Sequence, residues 1–223
     1  MVKEKVTKLA VKPRILLTGF TPFAGAVLNP SWLAASALDG ETIAGHSVIS
    51  AQLPTAFEAS LKELGRLLRL HKPDLVICLG QAGGRAAISL ERVALNICDA
   101  GIADNAGCQP IDVPVVSNGP VAYFSTLPIK AILQALNDAG IAAEVSQTAG
   151  TFVCNHVFYS LMHRLANQSR VCPVRGGFIH IPFLPEQGSP SMSLEQMVRG
   201  LHVAISTTLG IKTGRVTSAG RIV

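Results

Sequence analysis

The sequence predicts a three-layer α/β/α sandwich, a single domain around a mainly parallel, twisted sheet, and three observations carry that expectation. Short apolar runs of strand length alternate with amphipathic stretches of helical period. The apolar runs are continuous rather than alternating, as in strands covered on both faces. Glycine-rich turns follow two of them, and functional groups in such sheets gather just beyond the carboxyl ends of the strands.

In chain order, residues 14–18 read as a buried strand, followed by a Gly/Pro loop over 19–30. Asn29 can cap, and Pro30 can open, a helix over 30–38. Residues 46–53 form a second strand. Thr55 and Glu58 make a capping box ahead of an amphipathic helix over 56–70, which Pro73 stops. Residues 74–79 (DLVICL) are a strand that ends in the turn GQAGGR over 80–85. Residues 88–97 are strand-like, whereas 99–120, rich in Asp, Asn, Gly and Pro, should make an irregular surface excursion. A helix over 128–139 ends at Gly140, and 144–148 is a strand. Residues 155–166 are helical, with Val157, Leu161 and Leu165 on one stripe, and 177–181 form a short strand. Ser193 and Gln196 cap a last helix that runs to about Leu209. Nothing divides the chain further, so the domain should span 14–223, behind a basic, poorly ordered arm over 1–13.

At 223 residues, 48% apolar and 15% charged, the chain can bury one full core and does not have the composition of a disordered segment. The net charge of +5 could suggest a nucleic-acid partner. However, Lys3, Lys5, Lys8, Lys12 and Arg14 crowd the first residues against Glu4, and no basic stripe with interleaved aromatics follows. The five cysteines, Cys78, Cys98, Cys108, Cys154 and Cys172, are odd in number and form no C-x-x-C pair. That excludes a disulfide scaffold or zinc site as the first reading. No signal-peptide pattern and no membrane-length apolar run is present, so a cytoplasmic location is expected.

Cys154 differs from the other cysteines. It lies in TAGTFVCNHVF, at a strand–helix junction, where unpaired N–H groups favour thiolate and can receive an oxyanion. A thiol hydrolase needs a base close in space. His156 is two residues on, so it should face away from the thiol. His180 ends the strand GGFIHIP, where a parallel sheet would aim it at such a junction. A carboxylate should hold the imidazole; Glu91, Asp99 and Asp104 are all candidates, and periodicity does not choose among them.

Four blocks, in order, resemble the pyroglutamyl peptidase I family: GFTPFAGAVLNPSW from Gly19, GQAGGRAAISLERVALN from Gly80, VSQTAGTFVCNHVFY from Val145 and GGFIHIP from Gly176. The resemblance covers about residues 14–210. It implies a cysteine peptidase that removes N-terminal pyroglutamate, with Cys154 as nucleophile, His180 as base and Glu91 as the orienting carboxylate. It further implies a ring slot walled by Phe20, Phe23 and Phe152, with hydrogen bonds from Asn29, Gln81 and the backbone near Val153. No metal or organic cofactor is implied, and a homotetramer is. One position departs from the pattern: where many members read DAR-I-x-DN, this chain has Gly101, a change that bears on rate rather than on fold or triad, and Arg85 could compensate. The rivals are a thiol hydrolase of another small amide or ester, and a non-catalytic protein that cradles an anion in the 19–26 and 80–85 loops.

Overall fold

The computed structural model describes residues 12–169 and 173–211. Cys172 and nearly all of the basic arm lie outside them. The elements in chain order are β1 (Arg14–Phe20), α1 (Pro30–Ser36), β2 (Thr42–Ile43), β3 (His46–Leu53), α2 (Phe57–His71), β4 (Leu75–Gln81), β5 (Ile88–Glu91), β6 (Val93–Leu95), β7 (Ala122–Phe124), α3 (Ile129–Asp138), β8 (Ala143–Ser146), α4 (Val153–Ala166), β9 (Arg175–Ile181) and α5 (Leu194–Gly210).

Seven strands form the main sheet in the order β2-β3-β1-β4-β9-β5-β8. The central strands β3, β1, β4 and β9 are mutually parallel. Their side chains divide by the two-residue period. Ile15 and Leu17 pack with Ala34, Leu136 and Leu201, the layer of α1, α3 and α5. Leu16 and Phe20 pack with Leu64, Val157 and Leu161, the layer of α2 and α4. The expected three layers are therefore present. From β1 the chain moves outward to β3 and then returns across β1 to β4, so the winding reverses between β1 and β4. That reversal opens a crevice at the carboxyl ends of these two strands.

Several local expectations change. The run over 88–97 is two strands in two sheets: β5 joins the main sheet, while β6 pairs with β7 in a separate ribbon. The break at Arg92 lets a single apolar run turn from one sheet to the other. Thr55 caps nothing. Its hydroxyl donates to Thr21 O at 2.6 Å, and Asp104, 47 positions on, accepts from Phe57 N–H at the start of α2. A tertiary carboxylate has displaced the local cap. The other two predicted caps hold, with Asn29 accepting from Ser31 N–H and Ser193 from Gln196 N–H.

β1 and α1 meet at a glycine. A Cβ on Gly19 would lie 2.4 Å from Ser31 O, which is backbone and cannot swing aside. Gly19→Ala is expected to destabilise the fold by roughly 1–3 kcal/mol, read as a lower urea midpoint; an unchanged midpoint would show that α1 moves freely against β1.

Candidate active site

The site begins with the register of β9. His180 is the partner of Gly80 in the parallel pairing with β4. A Cβ on Gly80 would sit 2.9 Å from His180 Nε2 and 2.8 Å from Phe178 Cζ, so glycine makes the space the imidazole occupies. On its other side β9 pairs with β5, and this pairing is antiparallel: Ser89 faces His180 and Leu90 faces Ile179. Glu91 is therefore His180's diagonal neighbour on the same face of the sheet. Its Oε1 accepts from His180 Nδ1 at 2.8 Å and from Arg85 Nη1 at 2.9 Å. Both Glu91 and His180 are buried. A carboxylate only accepts, so the ring proton sits on Nδ1, and Nε2 of the neutral ring is left as a base.

The other two acid candidates go elsewhere. Asp104 accepts from the N–H groups of Phe57, Ala106 and Cys108 and organises its own loop. Asp99 is exposed, tied through its backbone to Thr151.

Cys154 is the second residue of α4, which starts two residues earlier than the sequence pattern indicates. Gly150, at φ +79°, turns the chain into the helix. No side chain caps α4 at Phe152, and the first bond onto Phe152 O comes from His156 N–H. The N–H groups of Val153 and Cys154 thus have no partner within the helix. Burial pushes the Cys154 thiol up to about 12; the Glu91 carboxylate adds to the rise and Arg85 opposes it. Loss of hydration and the Glu91 carboxylate thus work against the thiolate that a helix start favours. The sulfur shares its charged neighbour Glu91 with His180. As expected, His156 turns away. Its Nδ1 lies 3.0 Å from Cys98 Sγ, its ring stands edge-on to Phe57, and burial pushes it down to about 4.

A small cavity at the crevice ends on Cys154 and brings together Phe20, Phe23, Asn29, Gln81, Phe152 and Val153, all six residues expected of the slot. Phe23 and Phe152 lie 6.2 Å apart and tilted, and Phe57 braces Phe152 edge-on at 5.4 Å. Asn29 combines helix capping with a place in the cavity: Oδ1 accepts from Ser31 N–H and Oγ–H, and Nδ2 spends one hydrogen on Thr21 O. Its second amide hydrogen remains. Thr55 also lines the cavity, a role its cap-like sequence context concealed. A larger hollow between the C-terminal ends of α2 and α4, beside Arg69 and Arg164, lies at the opposite ends of the strands from this chemistry. Among the described residues, no three His, Cys, Asp or Glu side chains are grouped to hold a metal ion, and no helix is long and apolar enough to cross a membrane.

A model of the pyroglutamyl peptidase family matches residues 13–210. The chain belongs to that family. It is 54% identical to a pyrrolidone-carboxylate peptidase of Cupriavidus taiwanensis over 215 residues, 94% of this chain and 99% of that one. It is 57% identical to pyrrolidone-carboxylate peptidase 1 of Ralstonia nicotianae, over 88% and 93% of the two chains. Pyroglutamyl peptidase I of Bacillus amyloliquefaciens superimposes with a TM-score of 0.86 at 45% identity, covering 92% of this chain and all of its own.

Gly101, the departure from the family pattern, is exposed, and a Cβ there would meet open space. The cationic side chain that acts on the sulfur is Arg85, which lowers its pKa against burial and Glu91. Arg85→Gln is expected to move the pH profile of Cys154 alkylation by iodoacetamide upward, and Glu91→Gln to move it downward. Shifts in the same direction would show that these charges do not govern the sulfur.

Proposed function

We propose that Cys154, His180 and Glu91 remove N-terminal pyroglutamate from peptides, the reaction of the family to which the chain belongs. The observation that carries this reading is the buried His180–Glu91 pair, with His180 on the strand beside that of Gln81, which lines a small aromatic-walled cavity that ends on Cys154.

With burial and Glu91 both working against the thiolate, attack is coupled to proton transfer. His180 Nε2 takes the Cys154 proton as sulfur bonds to the pyroglutamyl carbonyl carbon. The carbonyl oxygen takes up the displaced electron pair and meets the unpaired N–H groups at the start of α4. The intermediate collapses by breaking the C–N bond, and the leaving amine receives the proton from Nε2. Water then adds to the thioester with His180 again accepting a proton, and sulfur departs as the thiol, releasing pyroglutamate. Glu91 holds the imidazole upright and stabilises its cation; Arg85 partly balances Glu91, so the sulfur feels less of the carboxylate. No step draws on a metal or organic cofactor.

The lactam ring is flat and neutral, and it carries a carbonyl. Aromatic walls suit its faces, and the amide hydrogens of Asn29 and Gln81 suit its carbonyl. A prolyl ring lacks that carbonyl and would leave buried donors unpaired, at a cost of about 1–3 kcal/mol per group.

The free thiols among the described cysteines, Cys78, Cys98, Cys108 and Cys154, support a reducing, cytoplasmic setting. Val121 and Phe124, 87% and 69% exposed beside and on β7, support a subunit contact there; its extension to a homotetramer rests on the family resemblance. A pyroglutamyl reporter should be turned over and its prolyl counterpart rejected by roughly a hundredfold or more, with Cys154→Ser abolishing turnover. Equal rates on the two reporters would point instead to a hydrolase that does not read the ring.

A further inference from the structure

The cavity contains two primary amides, and an amide is chemically two-ended: one end donates and the other accepts. Which end faces the ring decides what the pocket selects. Gln81 sits at the last position of β4, and its backbone is held in the ladder with Ile181. Its side chain makes one hydrogen bond among the described residues, and that bond goes to Gln187, in the loop after β9.

Gln187 is oriented by groups whose polarity is not open to choice. Leu184 N–H donates to Gln187 Oε1 at 3.0 Å, and Leu28 C=O stands 3.5 Å from Gln187 Nε2. A backbone N–H can only donate and a carbonyl can only accept. The Nε2 end is therefore the one turned toward Gln81, and it donates to Gln81 Oε1 at 3.1 Å. With Oε1 so engaged, Gln81 has its Nε2 left for the cavity. The loop that carries Gln187 is itself anchored. Leu184 is buried, Gln187 N–H donates back to Leu184 O and Met192 N–H to Phe183 O, and the Phe183 ring fills the space a side chain on Gly83 would need.

We infer that Gln187 is a positioning residue that sets the polarity of the pocket, holding Gln81 with its donor end toward the substrate ring so that rings bearing a carbonyl are selected. Asn29 reaches the same state independently: Ser31 N–H fixes its Oδ1, and one amide hydrogen remains. Both cavity amides are thus held as donors, one by α1 and the other by the loop that follows His180. The segment that supplies the base also supplies the specificity. This rests on the pyroglutamyl reading above, and it adds the residue that no contact with substrate would reveal.

The decisive variant is Gln187→Glu. A carboxylate still accepts from Leu184 N–H but has no hydrogen for Gln81, so the Gln81 amide turns over and presents its oxygen to the cavity. KM for a pyroglutamyl reporter should rise about tenfold to a hundredfold, with kcat within a few-fold. Gln187→Met, which keeps the bulk but leaves Gln81 free to rotate, should raise KM less than Gln187→Glu. It also serves as the test should the glutamate variant fail to fold. A wild-type KM in Gln187→Glu, or a fall in kcat at constant KM, would overturn the inference. Gln81→Leu, assayed alongside, separates the two levels. If Gln81→Leu raises KM and Gln187→Glu does not, Gln187 has no polarity role. If Gln81→Leu also leaves KM unchanged, the ring is not read by Gln81 at all and the underlying reading fails.

Discussion

Glu91 has no exposed surface, and a buried carboxylate is tolerated only where donors or cations meet it. Here one oxygen accepts from both His180 and Arg85, joining the end of β5, the end of β9 and the glycine turn after β4 in one contact. Much of the surrounding architecture can be understood as the means of placing that carboxylate. β5 runs against the direction of β9, which brings Glu91 diagonally beside His180. Gly80 gives up its side chain so that the imidazole can occupy the space. The same carboxylate, together with burial, makes the Cys154 thiol harder to ionise. Arg85 moderates that cost.

The cavity extends the same economy. Phe20 is nearly fully buried, packing against Phe178 in the core while also walling the slot. Asn29 caps α1 with its oxygen and keeps one hydrogen at the cavity, so on the proposed function a stability role and a recognition role would occupy different atoms of one side chain. Cavity groups that are also structural groups have little freedom to reorganise, and preorganised donors lose little entropy when a ligand arrives.

The fold was legible because period and punctuation are local properties. Apolar runs marked β1 and β4, and their lack of alternation implied a sheet covered on both sides. Where the reading failed, a distant partner had intervened. Thr55 had the pattern of a cap, but Asp104 arrives from 47 positions away and takes the first N–H of α2. Residues 88–97 looked like one strand because the division into β5 and β6 follows from which partner each half finds, β8 and β9 for one and β7 for the other. Gln187 gave no signal, since a glutamine in a polar loop has no period to break.

The sequence by itself determined the layered α/β class, the order of the elements, Cys154 at the mouth of a helix and His180 at the end of a strand, and its motifs carried the family resemblance. All of these are properties of neighbours along the chain. Periodicity left the acid open and only the resemblance pointed to Glu91; tertiary structure brought that carboxylate onto the histidine, and it alone decided what surrounds the sulfur and which end of Gln81 faces the cavity. Each depends on groups brought together from separate elements, where burial and hydrogen-bond direction act through space, and no linear pattern records them.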